Sequence, residues 1–286
     1  MNYRTILPIL DWFPNYKKSW LKGDISAGLT VGVMLIPQGM AYASIAGLPA
    51  VYGLYASIIP ILVYALLGTS RQLAVGPVAM VSLLTATAIG SFEGLSTSEY
   101  ISYAILLAFM VGTIQFILGV SRLGFLVNFL SHPVISGFTS AAALIIGMSQ
   151  LKHLVGLDIP RSHHIYEILA NVVEKFTEIN WTAFGIGLIG IIIIIGSKKI
   201  NRSIPGQLLA VIFGIVVVSV FGLSDGTNTV NIVRDIPSSL PSFSISSFDL
   251  GIMQLLIPMA LTISLISFIQ YSASQLHRHR QSGFVR

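Results

Sequence analysis

Cysteine is absent from this 286-residue chain. Disulfide bridges, thiolate metal sites and cysteine nucleophiles are therefore excluded. Charge is nearly as scarce. Only 9% of the residues are Asp, Glu, Lys or Arg, whereas soluble domains carry about 25%. A chain so poor in charge cannot cover a water-facing surface, which excludes an ordinary cytosolic enzyme. Hydrophobic residues make up 54% and the mean hydropathy is +0.82, which excludes a disordered chain. What remains is an integral membrane protein. Its net charge of +5 (16 basic minus 11 acidic residues) then reflects orientation rather than nucleic-acid binding.

Eight apolar windows can be read: 25–46, 51–69, 73–90, 100–120, 125–149, 181–197, 205–222 and 250–271. Roughly 20 residues cross a bilayer core, and every Asp, Glu, Lys and Arg lies outside all eight windows. The run Ile191–Ile195 makes the sixth the plainest, and window 73–90 is the least regular. With the N-terminus in the cytoplasm, the inner side collects Arg4, Lys17, Lys18, Lys22, Arg71, Arg122, Lys198, Lys199, Arg202, Arg278, Arg280 and Arg286. The outer side keeps only Lys152, Arg161, Lys175 and Arg234. Basic residues concentrate on the cytoplasmic side, so both termini are expected inside, in the cell membrane. No signal-peptide pattern precedes the first window. Residues 1–24 interleave Trp12, Phe13, Tyr16 and Trp20 with lysines, which suits a helix in the headgroup layer; a plain tether is the alternative. The stretches 150–180 and 223–249 are expected as outer loops, the second rich in Ser, Pro and Asn.

Because no window carries a charge, proton relays and buried ion pairs find no support. The informative groups are Pro, Gly and uncharged polar residues. Ile36-Pro-Gln-Gly-Met-Ala-Tyr42 places Gln38 and Tyr42 four residues apart, on one helical face, beside a proline that loosens the helix. An amide and a phenol on one face suit an anion; a helix–helix hydrogen bond is the alternative. In the third window, Gly76-Pro77 is a poor helix interior and a good helix start. Residues 72–76 are expected to be extended, with a half-helix opening at Pro77 near the bilayer midplane. Its free N–H groups and positive dipole end would form an anion site without a charged side chain. A kink in a continuous helix is the alternative. His163-His164 and His277/His279 could suggest metal tracts, but the interleaved Arg278 and Arg280 fit a basic cytoplasmic flank.

These residues resemble the SulP family of anion transporters. The resemblance rests on Gly23-Asp-Ile-Ser-Ala-Gly-Leu-Thr30, Ile36-Pro-Gln-Gly-Met-Ala-Tyr-Ala43, Gly47-Leu-Pro-Ala-Val-Tyr-Gly-Leu-Tyr55, Gly68-Thr-Ser-Arg71, Ala74-Val-Gly-Pro77 and Gly124-Phe-Leu-Val-Asn-Phe-Leu-Ser-His-Pro-Val-Ile-Ser-Gly-Phe138. It implies an all-α polytopic fold of fourteen segments in two inverted repeats, followed by a cytoplasmic STAS domain. It also implies an anion held between the half-helix starts of the third and tenth segments. Carried onto this chain, the anion site falls on Gln38, Tyr42, Gly76, Pro77, Val78 and Ala79. His132-Pro133 looks like the break in the fifth segment, with His132 read as structural. Where the family's eighth segment commonly has a coupling Glu, this chain has Gln270.

The resulting expectation is about eight transmembrane segments, namely the first repeat of seven plus one, with a half-helix third segment. Residues 1–24 would be interfacial, 25–271 a partial transporter domain and 272–286 a basic cytoplasmic tail, the chain being truncated and the STAS domain absent. The expected activity is secondary active transport of an inorganic anion, sulfate foremost, and not enzymatic catalysis. Bicarbonate transport, or a transport-dead fragment acting as a membrane partner, are the alternatives. Expected partners are the anion, the lipid bilayer, a coupling proton or sodium ion and a second copy of the chain. No cofactor, metal or nucleic acid is expected.

Overall fold

The computed structural model describes residues 7–68, 75–121, 132–157, 165–201, 205–224, 230, 232 and 249–282. Side chains at Ile269–Ser282 and at several positions of the helix from His132 lie outside that description. Arg71, Gln72–Ala74, Gly124–Ser131, His163-His164 and the Pro237–Ser247 loop are also outside it.

All regular structure among the described residues is helical. In chain order the helices are α1 (Ile9–Trp12), α2 (Lys18–Ala46), α3 (Ala50–Leu67), α4 (Ala79–Gly90), α5 (Thr97–Val120), α6 (His132–Val155), α7 (Ile165–Glu174), α8 (Trp181–Ile200), α9 (Gly206–Val220) and α10 (Leu250–Ser282). Each of the eight apolar windows overlaps one of them, the third and fifth only in their described parts. Five of them (α2, α3, α5, α8 and Leu250–Phe268 of α10) are long and apolar enough to cross a bilayer. Large apolar side chains such as Leu29, Phe116, Ile192 and Leu255 lie mostly uncovered along these helices. A water-soluble fold would bury them.

Three local expectations need correction. Helix α2 starts at Lys18 and runs through Pro37 without a break, so Trp20 and Lys22 lie in its first turns rather than on a separate interfacial helix. Proline removes one N–H from the helix ladder, and here the remaining turns hold. The stretch 150–180 is not a plain loop: α6 continues to Val155, and α7 follows as a further helix. Pro77 is not the first helical residue, because Val78 is extended (φ −127°, ψ 131°) and caps a helix that begins at Ala79.

The chain divides into two compact units. One comprises 1–44, 49–77 and 147–241; the other comprises 45–48, 78–146 and 242–286. In the second unit, α4, α5 and α10 share a core of Ala88, Ile89, Leu107, Met110, Leu256, Ala260 and Ile263. Residues 256, 260 and 263 recur at helical spacing, so one stripe of α10 enters that core. Ser264, fully buried, donates from Oγ to the Ala260 carbonyl at 2.6 Å and reaches Val111 O at 3.3 Å. Helix α5 opens with a capping box, Ser96 N donating to Glu99 Oε2 at 2.8 Å.

In the first unit, close backbone contact replaces a large core. A Cβ on Gly39 would come 2.6 Å from Ser57 Oγ and 2.9 Å from Gly53 O, so α2 and α3 touch through two glycines. Helices α8 and α9 meet in the same way, because a Cβ on Gly206 would collide with Ser197 Oγ. At the α6–α8 junction, Gly156 has φ +67° and faces Asn180. Asn180 accepts from Thr182 N at 3.1 Å and Ala183 N at 3.0 Å, capping α8.

Candidate anion site

The site residues predicted from the sequence fall in both units. In the first, Gln38 and Tyr42 share a face of α2, as their spacing requires. Gln38 Nε2 donates to Tyr42 Oη at 2.9 Å. That bond uses the phenol as an acceptor and leaves its O–H able to donate to a third group. Gln38 is exposed and Tyr42 half-buried. One turn earlier on α2, Leu35 lies next to the Gly-Pro pair, since a Cβ on Gly76 would sit 3.7 Å from Leu35 Cδ2. Leu35 was not among the predicted site residues, and only the fold reveals its place.

In the second unit, Val78 and Ala79 open α4. The helix has twelve residues, about 18 Å at 1.5 Å per residue, against a hydrocarbon core of about 30 Å. It is therefore a half-helix in length. No side chain caps its start, although the first N–H groups of any helix need partners. Residues 75–78 are non-helical, as expected for 75 and 76; 72–74 lie outside the described residues. A start without a side-chain cap, preceded by Gly-Pro, offers N–H donors and the positive end of a helix dipole.

Gln270 lies on α10, but its side chain is outside the described residues, as is that of His132 at the start of α6. Among the described residues no cluster of three His, Cys, Asp or Glu side chains could hold a metal ion. The chemistry that the described residues of the predicted site offer is hydrogen bonding and dipole attraction.

Long apolar helices with uncovered apolar faces define a polytopic membrane protein. The solved structure of SLC26A9 matches at a TM-score of 0.86 and 26% identity, covering 98% of this chain and 47% of that one. The transmembrane domain of the cyanobacterial bicarbonate transporter BicA shares the fold at a TM-score of 0.77 and 22% identity, covering 89% of this chain and 64% of that one. The chain belongs to the sulfate permease family, whose model matches residues 21–280. Among curated relatives, the chloroplastic sulfate transporter 4.1 of Arabidopsis thaliana is 41% identical over 255 residues, covering 86% of this chain and 37% of the relative. The sodium-independent sulfate anion transporter of Bos taurus is 44% identical over 203 residues, covering 70% of this chain and 32% of the relative. These 286 residues therefore span well under half the length of these relatives. The relatives are transporters by name, not enzymes.

Proposed function

We propose that the chain forms the anion-binding part of a secondary active inorganic anion transporter, with sulfate as its substrate. The observation that carries the reading is the start of α4, which has no side-chain cap and follows Gly76-Pro77 in a chain of the sulfate permease family. The N–H groups of residues at and after Ala79 would hold the oxyanion, while Val78 and Pro77 keep the approach non-helical. The family resemblance adds Gln38 and Tyr42 of α2 as donors, and Gly76 as part of the break before α4. A helix N-terminus supplies about half a positive charge. A dianion therefore needs donors beyond one helix end, and the Gln38–Tyr42 pair fits that need. The names of the curated relatives support sulfate as the substrate.

In this reading residues 25–271 form the membrane domain, the residues before α2 an interfacial segment and 272–286 a basic tail, with both termini cytoplasmic. The distribution of basic residues supports that orientation. The side chain at 270 would not carry a coupling proton, because an amide does not titrate.

The test is labelled-sulfate uptake by a full-length family transporter that contains this segment, reconstituted in vesicles. A hydrogen bond to a charged ligand contributes roughly 1.5–3 kcal/mol. Gln38→Ala and Tyr42→Phe should each weaken apparent affinity about 10- to 100-fold. Unchanged affinity in both variants would return these residues to helix packing. Uptake of bicarbonate with no response to sulfate would overturn the substrate while leaving the site in place.

A further inference from the structure

Helix α7 (Ile165–Glu174) carries more apolar surface than its own unit covers. At 100° per residue its side chains fall into three groups. Ile168 and Val172, four residues apart, form one flank: Ile168 is buried, and Val172 packs against Val155 and Leu157. Tyr166, Leu169 and Val173, at i, i+3 and i+7, form a second flank that is uncovered, Val173 to 74%. Glu167, Asn171 and Glu174 occupy the remaining side. Protein covers the first flank and water suits the third. The middle flank needs an apolar cover.

The same unit shows what lies there. Asn180 N donates to Val155 O at 3.0 Å, tying the end of α6 to the start of α8. Val172 packs on that junction, so α7 sits level with the ends of two apolar helices. Phe176, Trp181 and Phe184 form a run of edge-on rings, each pair 6.0 Å apart, at the same junction. Phe176 and Trp181 are largely uncovered, and such rings concentrate at headgroup depth. The uncovered flank of α7 is therefore continuous with an aromatic belt at the start of a lipid-facing helix.

We infer that α7 lies along one surface of the bilayer, with Tyr166, Leu169 and Val173 in lipid and Glu167 and Glu174 in water. Its polar side is acidic, so binding rests on apolar burial and not on anionic headgroups. A helix held in this way keeps the joined ends of α6 and α8 at a fixed depth.

The lack of native cysteine makes the chain its own background for site-directed labelling. Nitroxide labels at Leu169→Cys, Val173→Cys, Glu167→Cys and Glu174→Cys would be read in vesicles for collision with oxygen and with a water-soluble nickel chelate. The expected result is an oxygen-to-nickel ratio several-fold higher at 169 and 173 than at 167 and 174, in neutral and anionic lipid alike. Equal ratios would overturn the placement. So would labels at 173 shielded from both reagents and broadened by spin–spin coupling, which would mean a second copy covers the flank. If a cysteine variant fails to fold, Trp12→Phe/Trp20→Phe leaves Trp181 as the only tryptophan. Quenching by lipids brominated near the headgroup supports the junction's depth, and no quenching overturns it.

Discussion

Gly53→Ala tests whether the α2–α3 contact positions the face that carries Gln38. A Cβ added at Gly53 would collide with the carbonyl group of Gly39 and lie 3.0 Å from Met40 N. All of these atoms are backbone, so no rotamer change relieves the clash and one helix must move away from the other. Overpacking of this kind costs about 1–3 kcal/mol, occasionally more. The rigid partners place Gly53→Ala at the upper end of that range. Gly39→Ala should cost somewhat less, because Ser57 Oγ at 2.6 Å can rotate and the backbone contact, Gly53 O at 2.9 Å, is less close than the Gly39 carbonyl is to a Cβ on Gly53. Rotation would still break the Ser57 Oγ bond to Gly53 O at 2.7 Å. Gly28→Ala is the control on the same helix, since a Cβ there meets nothing within 4 Å. It should be neutral or stabilise by about 0.5–1 kcal/mol, as helix-interior Gly→Ala changes do. Thermal unfolding of the detergent-solubilised chain, followed by circular dichroism, would show a lower midpoint for Gly53→Ala and an unchanged or higher one for Gly28→Ala. A Gly53→Ala chain as stable as the wild type, or an equal loss at Gly28, would refute the contact.

The helices of this protein were legible because hydrophobic windows of membrane length need no tertiary information. The half-helix was legible for a different reason: Gly-Pro cannot sit comfortably inside a helix, so the break at residues 75–78 is written into local chemistry. The helix opens at Ala79, two residues after Pro77, because Val78 takes an extended N-cap conformation. Helix α7 escaped because a ten-residue element falls below any span-length window, although Tyr166, Leu169, Val172 and Val173 already carried a helical spacing. The pairing of Gly39 with Gly53, and the reach of Ser264 to Val111, were not legible. They join positions far apart in the chain, and only packing decides which small residue meets which. For the predicted site, the Gln38–Tyr42 bond followed from i, i+4 geometry, while the approach of Gly76 to Leu35 depended on the fold.

Asn180→Ala removes the Oδ1 that accepts from Thr182 N and Ala183 N at the start of α8 and should cost about 1 kcal/mol, read as a lower unfolding midpoint that Asn180→Asp largely restores. Tyr16 donates to Asp24 Oδ2 at 2.5 Å, and that bond holds its phenol pKa above the ordinary value. The folded pKa is raised, so the contribution is present below the unfolded pKa, about 10, and is lost as pH rises through the folded value. Asp24→Asn should bring the Tyr16 titration, followed by carbon-13 NMR, back toward free tyrosine; an unchanged titration would remove Asp24 as the cause. The last prediction concerns the 286-residue chain by itself. One helix end provides about half a unit of positive charge, and desolvating a dianion with so little compensation is costly. Alternating access also requires one bundle to move against another around the site, and the resemblance implies that a second helix start, from a tenth segment, completes it. These residues provide the third-segment start alone. The purified chain in sealed vesicles with an inward sulfate gradient should therefore show no uptake above empty vesicles, with or without a proton or sodium gradient. Saturable, gradient-driven uptake would refute this argument and mean that two copies together supply the compensation that one lacks.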